Sequence, residues 1–313
     1  MKILITDCRF ENIIQETAAI TEAGFELACA QCKTADDVMS AAADADGLIV
    51  QFAPVTAEVI HNLSRCKVIV RYGIGLDNVD LAAAKAKGIP VCNVPDYCID
   101  EVADHAVALA LALGRQLLQI DARTRAGIWK IFPDRPMPAF NEMTFATAGF
   151  GRIARAVLHR ARAFGFKTAA YDPYVSPGSD EVASFSLDEL FRQADVLSLH
   201  VPMSSETKHL VNADRLAQMK PTAILINTAR GGLIDTAALS QALQAGTIAA
   251  AGLDVFETEP LEEDHPLRKS PNVLLTSHVA WFSEKSVPTL QRLAAEEAIR
   301  ALQGKPLRNQ VNH

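Results

Sequence analysis

Short unbroken apolar runs alternate along the chain with amphipathic stretches. Lys2-Ile3-Leu4-Ile5-Thr6, Gly47-Leu48-Ile49-Val50 and Lys67-Val68-Ile69-Val70-Arg71 read as strands, and residues 34–43 and 56–63 as helices. Strands without polar alternation are covered on both faces, which favours a parallel sheet flanked by helices. A long helix is expected to start at Asp100, which caps it, with Glu101 and Asp104 near the positive dipole end. Val102, Ala106, Leu109, Ala110, Leu113, Leu117 and Ile120 recur at three and four, and the pattern fades near Gly127. Pro133, Pro136 and Pro138 then forbid a helix or central strand, so this stretch reads as a surface crossing. A second series follows, with strands expected at 144–148, 167–171, 195–199, 222–227, 248–253 and 272–276 and a last helix at about 284–303.

The pattern predicts an α/β protein of two doubly wound domains with parallel sheets. Residues 1–98 with 283–313 form one domain, the terminal helix returning to it, and 99–282 form the other. The length of 313 residues agrees, at about 150 residues per domain.

Composition narrows the function. Apolar residues are 49% and charged residues 21%, which excludes disorder, collagen and a disulfide scaffold. A net charge of -7 argues against a nucleic-acid partner. Apolar runs such as Ile224-Leu225-Ile226 fall far short of the ~20 residues of a membrane span. The opening MKILITDCRF has no signal-peptide pattern, so a cytoplasmic location is expected. Six cysteines stand at positions 8, 29, 32, 66, 92 and 98. Cys29 and Cys32 make one C-x-x-C, but a zinc ribbon needs a second pair, and none is at fitting spacing. The cysteines are expected to be reduced, buried apolar side chains, with no metal.

Ala148-Gly149-Phe150-Gly151-Arg152-Ile153-Ala154 runs from an expected strand into an expected helix as G-x-G-x-x-A. Gly149 permits the tight turn, Gly151 lets the backbone approach a pyrophosphate, and Ala154 allows close packing of helix on strand. The helix start, at Arg152 and Ile153, offers amides and a positive dipole end to phosphates. The next strand ends at Asp172, 23 residues after Gly149, where a carboxylate holds a ribose 2′-hydroxyl and repels a 2′-phosphate. NAD is therefore expected over NADP. Three further segments end expected strands with a polar group: Asn227-Thr228-Ala229-Arg230-Gly231-Gly232, Asp254 to Pro260, and Thr276-Ser277-His278. Strand carboxyl ends of an open parallel sheet line one crevice, so Arg230, Glu259 and His278 can converge there. Spacing alone does not separate Glu259 from Glu257.

These strings, with Val70-Arg71-Tyr72-Gly73-Ile74-Gly75-Leu76-Asp77-Asn78-Val79-Asp80, resemble the D-2-hydroxyacid dehydrogenases over nearly the whole chain. His278-Val279-Ala280-Trp281-Phe282-Ser283-Glu284 is most similar to the C-terminal-binding protein branch. The 3-phosphoglycerate dehydrogenases are the other near neighbours. The resemblance implies a flavodoxin-like substrate domain plus a Rossmann NAD-binding domain, and a homodimer built on the long helix and the segment through Trp129. It also implies an NAD-dependent oxidoreductase. His278 would be the general acid/base on the carbonyl oxygen, Glu259 would hydrogen-bond its imidazole, and Arg230 would bind the substrate carboxylate. Arg71, Gly73, Ile74, Gly75 and Trp281 would contact substrate. His200, Val201, Pro202, Thr207, Thr228, Ala229 and Asp254 would contact the cofactor. The substrate would be a small D-2-hydroxy or 2-oxo acid. The rival reading is a dinucleotide-sensing binding protein of the C-terminal-binding type. One departure from the family pattern is the alanine-rich strand Thr144-Phe145-Ala146-Thr147-Ala148, which predicts a less well packed strand and puts cofactor affinity in doubt.

Overall fold

The computed structural model describes residues 1–178 and 181–313, which divide into two compact units. Unit 1 is Met1–Cys98 with Phe282–His313; unit 2 is Ile99–Trp281. In unit 1, strands β1 (Lys2–Ile5), β2 (Glu26–Cys29), β3 (Gly47–Val50), β4 (Ile69–Arg71) and β5 (Val91–Cys92) alternate with helices α1 (Ile14–Glu22), α2 (Ala35–Ala41), α3 (Ala57–Asn62) and α4 (Leu81–Ala86). Unit 2 opens with α5 (Ile99–Gly114) and α6 (Leu117–Arg125), then β6 (Thr144–Ala148), α7 (Arg152–Ala163), β7 (Lys167–Tyr171), β8 (Ala183–Ser184), α8 (Leu187–Gln193) and β9 (Val196–Leu199). It continues with α9 (Ala213–Leu216), β10 (Ile224–Asn227), α10 (Thr236–Ala245), β11 (Ala250–Leu253) and β12 (Val273–Leu275). Helix α11 (Ser286–Leu302) belongs to unit 1.

Both sheets are parallel. Their orders are β2-β1-β3-β4-β5 and β12-β11-β10-β9-β6-β7-β8. The first is the flavodoxin order, and the second is the Rossmann order extended by one strand. Alternate side chains supply the two faces of the first sheet. Ile3 and Ile5 join Ile20 of α1 and Leu290, Ala294 and Ala298 of α11, whereas Leu4 and Leu48 join Val38 of α2 and Val59 of α3. In unit 2, α5 and α7 cover one face through Leu109, Leu113, Val157 and Leu158. Leu190, Leu216 and Leu239 cover the other. Each of the buried Ile, Leu and Val side chains among these contributes about 1.5–3 kcal/mol of transfer free energy. Helix starts are capped as their sequences require: Thr34 and Asp37 form a capping box on α2, and Ser186 and Glu189 form one on α8.

Several expectations need correction. The long helix breaks into α5 and α6 at Gln116, which adopts a left-handed φ of 53°. Asp100 lies inside the first turn of α5 rather than capping it, and its carboxylate pairs with Arg160 at 2.8 Å. Five cysteines are buried free thiols, but Cys29 ends an edge strand and is exposed. The alanine-rich β6 is not loosely packed. Ala146 and Ala148 are fully buried, and Phe145 meets Phe166 edge-on at 5.5 Å. Small residues suffice there because large ones from neighbouring elements fill the space. Among the described residues no helix is long and apolar enough to cross a membrane, and no group of three His, Cys, Asp or Glu side chains is placed to hold a metal.

Candidate active site

Because the second sheet is parallel throughout, the segments after β6, β7, β9, β10, β11 and β12 all leave from one edge. The strand order reverses between β9 and β6, the place where such sheets bind ligands.

At this switch point β6 ends in the glycine loop. Gly149 has φ 96°, and a Cβ there would stand 2.6 Å from the His200 carbonyl oxygen, so only glycine fits. A Cβ on Gly151 would meet nothing within 4 Å, which leaves the loop open to a ligand. The N-cap residue of α7 is Gly151, which has no side chain to cap the helix start. Asp172 follows β7, and its carboxylate accepts the Phe150 amide at 2.9 Å and the Tyr174 amide at 2.9 Å, which fixes it beside the loop. Thr228 Oγ1, after β10, is buried with no hydrogen-bond partner among the described residues. An uncapped helix start, an open glycine cradle and an orphaned buried hydroxyl together suit a dinucleotide.

The remaining expected cofactor contacts divide. His200 follows β9 with Nε2 2.8 Å from Ser198 Oγ, and burial pushes its imidazole down to about 4, so the ring is neutral. Val201 and Pro202 follow it, partly exposed and exposed. The Thr207 hydroxyl bonds the Pro202 carbonyl at 2.7 Å and so closes its own turn. The Ala229 amide is held by Asn227 Oδ1 at 3.0 Å. Asp254 is 1% exposed, and its carboxylate already accepts the Thr276 hydroxyl and the Val279 and Ala280 amides.

His278 and Glu259 come together although 19 residues separate them. His278 Nδ1 is 2.7 Å from Glu259 Oε2, and Glu259 Oε1 accepts the Phe256 amide at 2.9 Å. Burial alone would raise the Glu259 carboxyl, but hydrogen bonds from His278 and the Phe256 amide and the nearby Arg230 charge outweigh it, and the group is held below the usual glutamate range. With Nδ1 engaged, Nε2 of His278 is the nitrogen left to exchange a proton with a ligand. The geometry also separates the twin carboxylates. Glu257 lies 2.7 Å from His209 Nε2 and accepts both the amide and the hydroxyl of Thr236. Arg230 precedes the turn Gly231–Leu233, and its Nη1 donates to the Ala229 carbonyl at 2.7 Å. Gly231 brings the two loops together. A Cβ there would lie 1.9 Å from the Phe256 carbonyl carbon and 2.4 Å from the Glu257 nitrogen. The Trp281 indole donates to the His278 carbonyl at 2.8 Å.

In unit 1, Arg71 ends β4 and folds over Gly73, which has φ 133°. A Cβ at Gly73 would overlap the Arg71 guanidinium. Gly73 donates its amide to the Arg71 carbonyl at 2.9 Å, and Asn93 Nδ2 bonds the Ile74 carbonyl at 2.8 Å. Gly75 follows, partly exposed. Sequence reading passed over His105 and gave Thr276 no role beyond the string it shares with His278; their side chains are 3.0 Å apart. The cue available was a histidine in the first turns of a helix next to the sheet edge, which alone specifies no partner.

Residues 107–280 match the family model described as D-isomer specific 2-hydroxyacid dehydrogenase, NAD binding domain. The chain is 38% identical, over its full length, to D-3-phosphoglycerate dehydrogenase of Methanocaldococcus jannaschii, of which it covers 59%. It thus spans little more than half the length of the phosphoglycerate dehydrogenases it matches. It is 37% identical to glyoxylate reductase of Korarchaeum cryptofilum, over 86% of this chain and 83% of that one. Among solved structures, D-lactate dehydrogenase from Aquifex aeolicus, complexed with NAD and lactic acid, superposes with a TM-score of 0.86 at 30% identity, covering 96% of both chains. The phosphoglycerate dehydrogenases carry the name of one of the two neighbours that the sequence suggested; these relatives do not show the C-terminal-binding protein branch.

Proposed function

The chain belongs to the D-isomer specific 2-hydroxyacid dehydrogenase family, and on that footing we propose that it is an NAD-dependent oxidoreductase interconverting a small 2-oxo acid and its D-2-hydroxy acid. The observation that carries this reading is the hydrogen bond of 2.7 Å between His278 and Glu259 at the ligand edge of the nucleotide-binding sheet.

The glycine loop, the start of α7, Asp172 and Thr228 would hold the dinucleotide. When bound, the nicotinamide supplies the hydride for reduction or accepts it in oxidation. The chain's own groups handle the substrate and the proton. Arg230 binds the carboxylate of the oxo acid, its planar fork suiting two parallel hydrogen bonds. His278 gives a proton from Nε2 to the carbonyl oxygen as that oxygen gains charge, and takes it back in the oxidation direction. Glu259, held ionised, fixes the ring through Nδ1. Asn227 Nδ2 bonds the Arg230 carbonyl at 2.8 Å and so fixes the turn that carries the guanidinium. Arg71, Gly73, Ile74, Gly75 and Trp281 are assigned as further substrate contacts on the family resemblance.

The enzyme reading is preferred to a dinucleotide-sensing protein because a sensor needs no paired imidazole and carboxylate beside its nucleotide site. The test follows NADH absorbance with glyoxylate, hydroxypyruvate, phosphohydroxypyruvate and bulkier 2-oxo acids. Turnover with at least one supports the enzyme. Tight NADH binding with no turnover on any of them favours the sensor.

A homodimer is part of the proposal. Trp129, Ile131 and Phe132, just after α6, are 86%, 82% and 77% exposed, and Leu117 and Leu118 of α6 are exposed as well. Apolar side chains clustered so openly call for a partner surface. Sedimentation should give a dimer that the substitutions Trp129→Glu and Phe132→Glu dissociate; a monomeric wild type would count against it. A cytoplasmic location accords with six free thiols.

A further inference from the structure

The groups that fix the backbone at His278 lie outside the set that the proposed reaction uses. Leu253 of β11 pairs in register with Leu275 of β12, so the next residues, Asp254 and Thr276, stand side by side. Asp254 then grips the following segment from two sides. Its carbonyl accepts the His278 amide at 2.8 Å. Its buried carboxylate accepts the Val279 and Ala280 amides, each at 2.9 Å. His278 itself has φ 56°, a left-handed conformation that costs a non-glycine residue free energy and persists only where the surroundings over-determine it. Asp254 supplies that restraint, because its three backbone bonds span the strained residue.

What holds Asp254 is legible from donor counting. Thr276 has one hydroxyl hydrogen, and its 2.6 Å contact with Asp254 Oδ1 uses it. Towards His105 Nε2, 3.0 Å away, the hydroxyl must therefore accept. His105 Nε2 thus carries a hydrogen, which fixes the tautomer of this ring. The same nitrogen stands 3.8 Å from Asp254 Oδ1, so its positive edge faces the carboxylate directly as well. His105 belongs to α5, which packs against β10 and β11, so the chain of contacts runs from a rigid helix to the loop bearing the imidazole.

We propose that His105 is a positioning residue for the reaction: through Thr276 it locks the Asp254 carboxylate onto residues 278–280 and thereby aims the His278 side chain. The inference rests on the reading of His278 as the proton donor. A misaimed proton donor costs rate far more than it costs binding. His105→Leu and Thr276→Val each lower kcat about 10- to 100-fold and leave the KM for the oxo acid and the NADH dissociation constant unchanged. His105→Gln, whose amide still donates to Thr276, recovers most of the loss. The double variant His105→Leu/Thr276→Val is no slower than either single, because both act along one path.

A second readout needs no turnover. In protein labelled with 15N-histidine, the hydrogen-bonded Nδ1–H signal of His278 is identified by its loss in His278→Ala. It shifts or broadens in His105→Leu and in Thr276→Val and returns in His105→Gln. An unchanged His278 signal in His105→Leu overturns the proposal. So does a rate loss that only tracks lowered melting temperature or NADH affinity and is not rescued by glutamine. A wild type that reduces no oxo acid overturns the assigned reaction instead, and the imidazole signal still decides whether His105 positions His278.

Discussion

His278 Nδ1 lies 2.7 Å from Oε2 of Glu259, and Oε1 of the same carboxylate accepts the Phe256 amide at 2.9 Å. One oxygen thus faces the imidazole while the other is anchored to backbone, so the carboxylate cannot rotate away. Its depressed titration has two consequences. Glu259→Gln should lower kcat/KM for the oxo acid by about 10²-fold while NADH affinity is retained. The folded-state value lies below the unfolded one of about 4.3, so the stabilisation that Glu259 provides is fully present above that pH and is lost as pH falls through the folded value. The melting-temperature difference between wild type and Glu259→Gln should therefore be constant near neutrality and shrink in acid. A difference independent of pH contradicts the assignment.

Gly231 sets how closely the arginine loop approaches the carboxylate loop. A Cβ there would penetrate backbone atoms of Phe256 and Glu257, whereas one on Gly232 would meet the flexible end of Met203 at 2.9 Å. Gly231→Ala should lower both melting temperature and turnover, the latter by about 10²-fold, because Arg230 and Glu259 are pushed apart. Gly232→Ala should be much milder in both assays. Equal effects would show that the close approach does not set the geometry.

Thr228 is a hydroxyl without a partner among the described residues. Burying an unpaired hydroxyl costs about 1–3 kcal/mol, so Thr228→Val should leave the melting temperature of the ligand-free protein unchanged or raised. If that hydroxyl serves the cofactor, NADH affinity should fall about tenfold, the loss of one hydrogen bond. Calorimetric titration of both proteins checks this, and unaltered affinity removes Thr228 from the cofactor site.

Asp172 is fixed beside the glycine loop by the Phe150 amide. A carboxylate there accepts from a 2′-hydroxyl and repels a 2′-phosphate. NADH should bind more tightly than NADPH, and Asp172→Ser should narrow the ratio chiefly by improving NADPH. Equal affinities in the wild type would contradict the role of Asp172.

Much of the fold was legible because parallel strands buried on both faces leave an unmistakable apolar run. The expected strands at 144–148 and 167–171 coincide with β6 and β7. β5 and β8 escaped notice because two residues each leave no periodicity to read. The break at Gln116 was hidden for a different reason. The apolar spacing runs on through Leu117 and Ile120, yet α6 buries none of its residues, so its periodicity reports no core face. At the site, motif spacing brought Arg230, Glu259 and His278 into view but did not separate Glu259 from Glu257; the family resemblance chose Glu259, and in the fold Glu257 is engaged by His209 and Thr236. Asp254 was expected as a cofactor contact on the family resemblance. Its carboxylate proves to be occupied by the segment after β12, a pairing that depends on strand order and register. His105 was invisible for the same reason: its partner is 171 residues away.

His278 is the group on which the proposed proton transfer depends most directly. Its replacement by alanine should be measured twice, by NADH titration and by NADH oxidation with the best 2-oxo acid. The expected result is an NADH dissociation constant close to that of wild type with turnover lowered about 10²–10⁴-fold. Full turnover in His278→Ala, or loss of NADH binding in proportion to the loss of rate, would contradict the claim that this imidazole moves the proton.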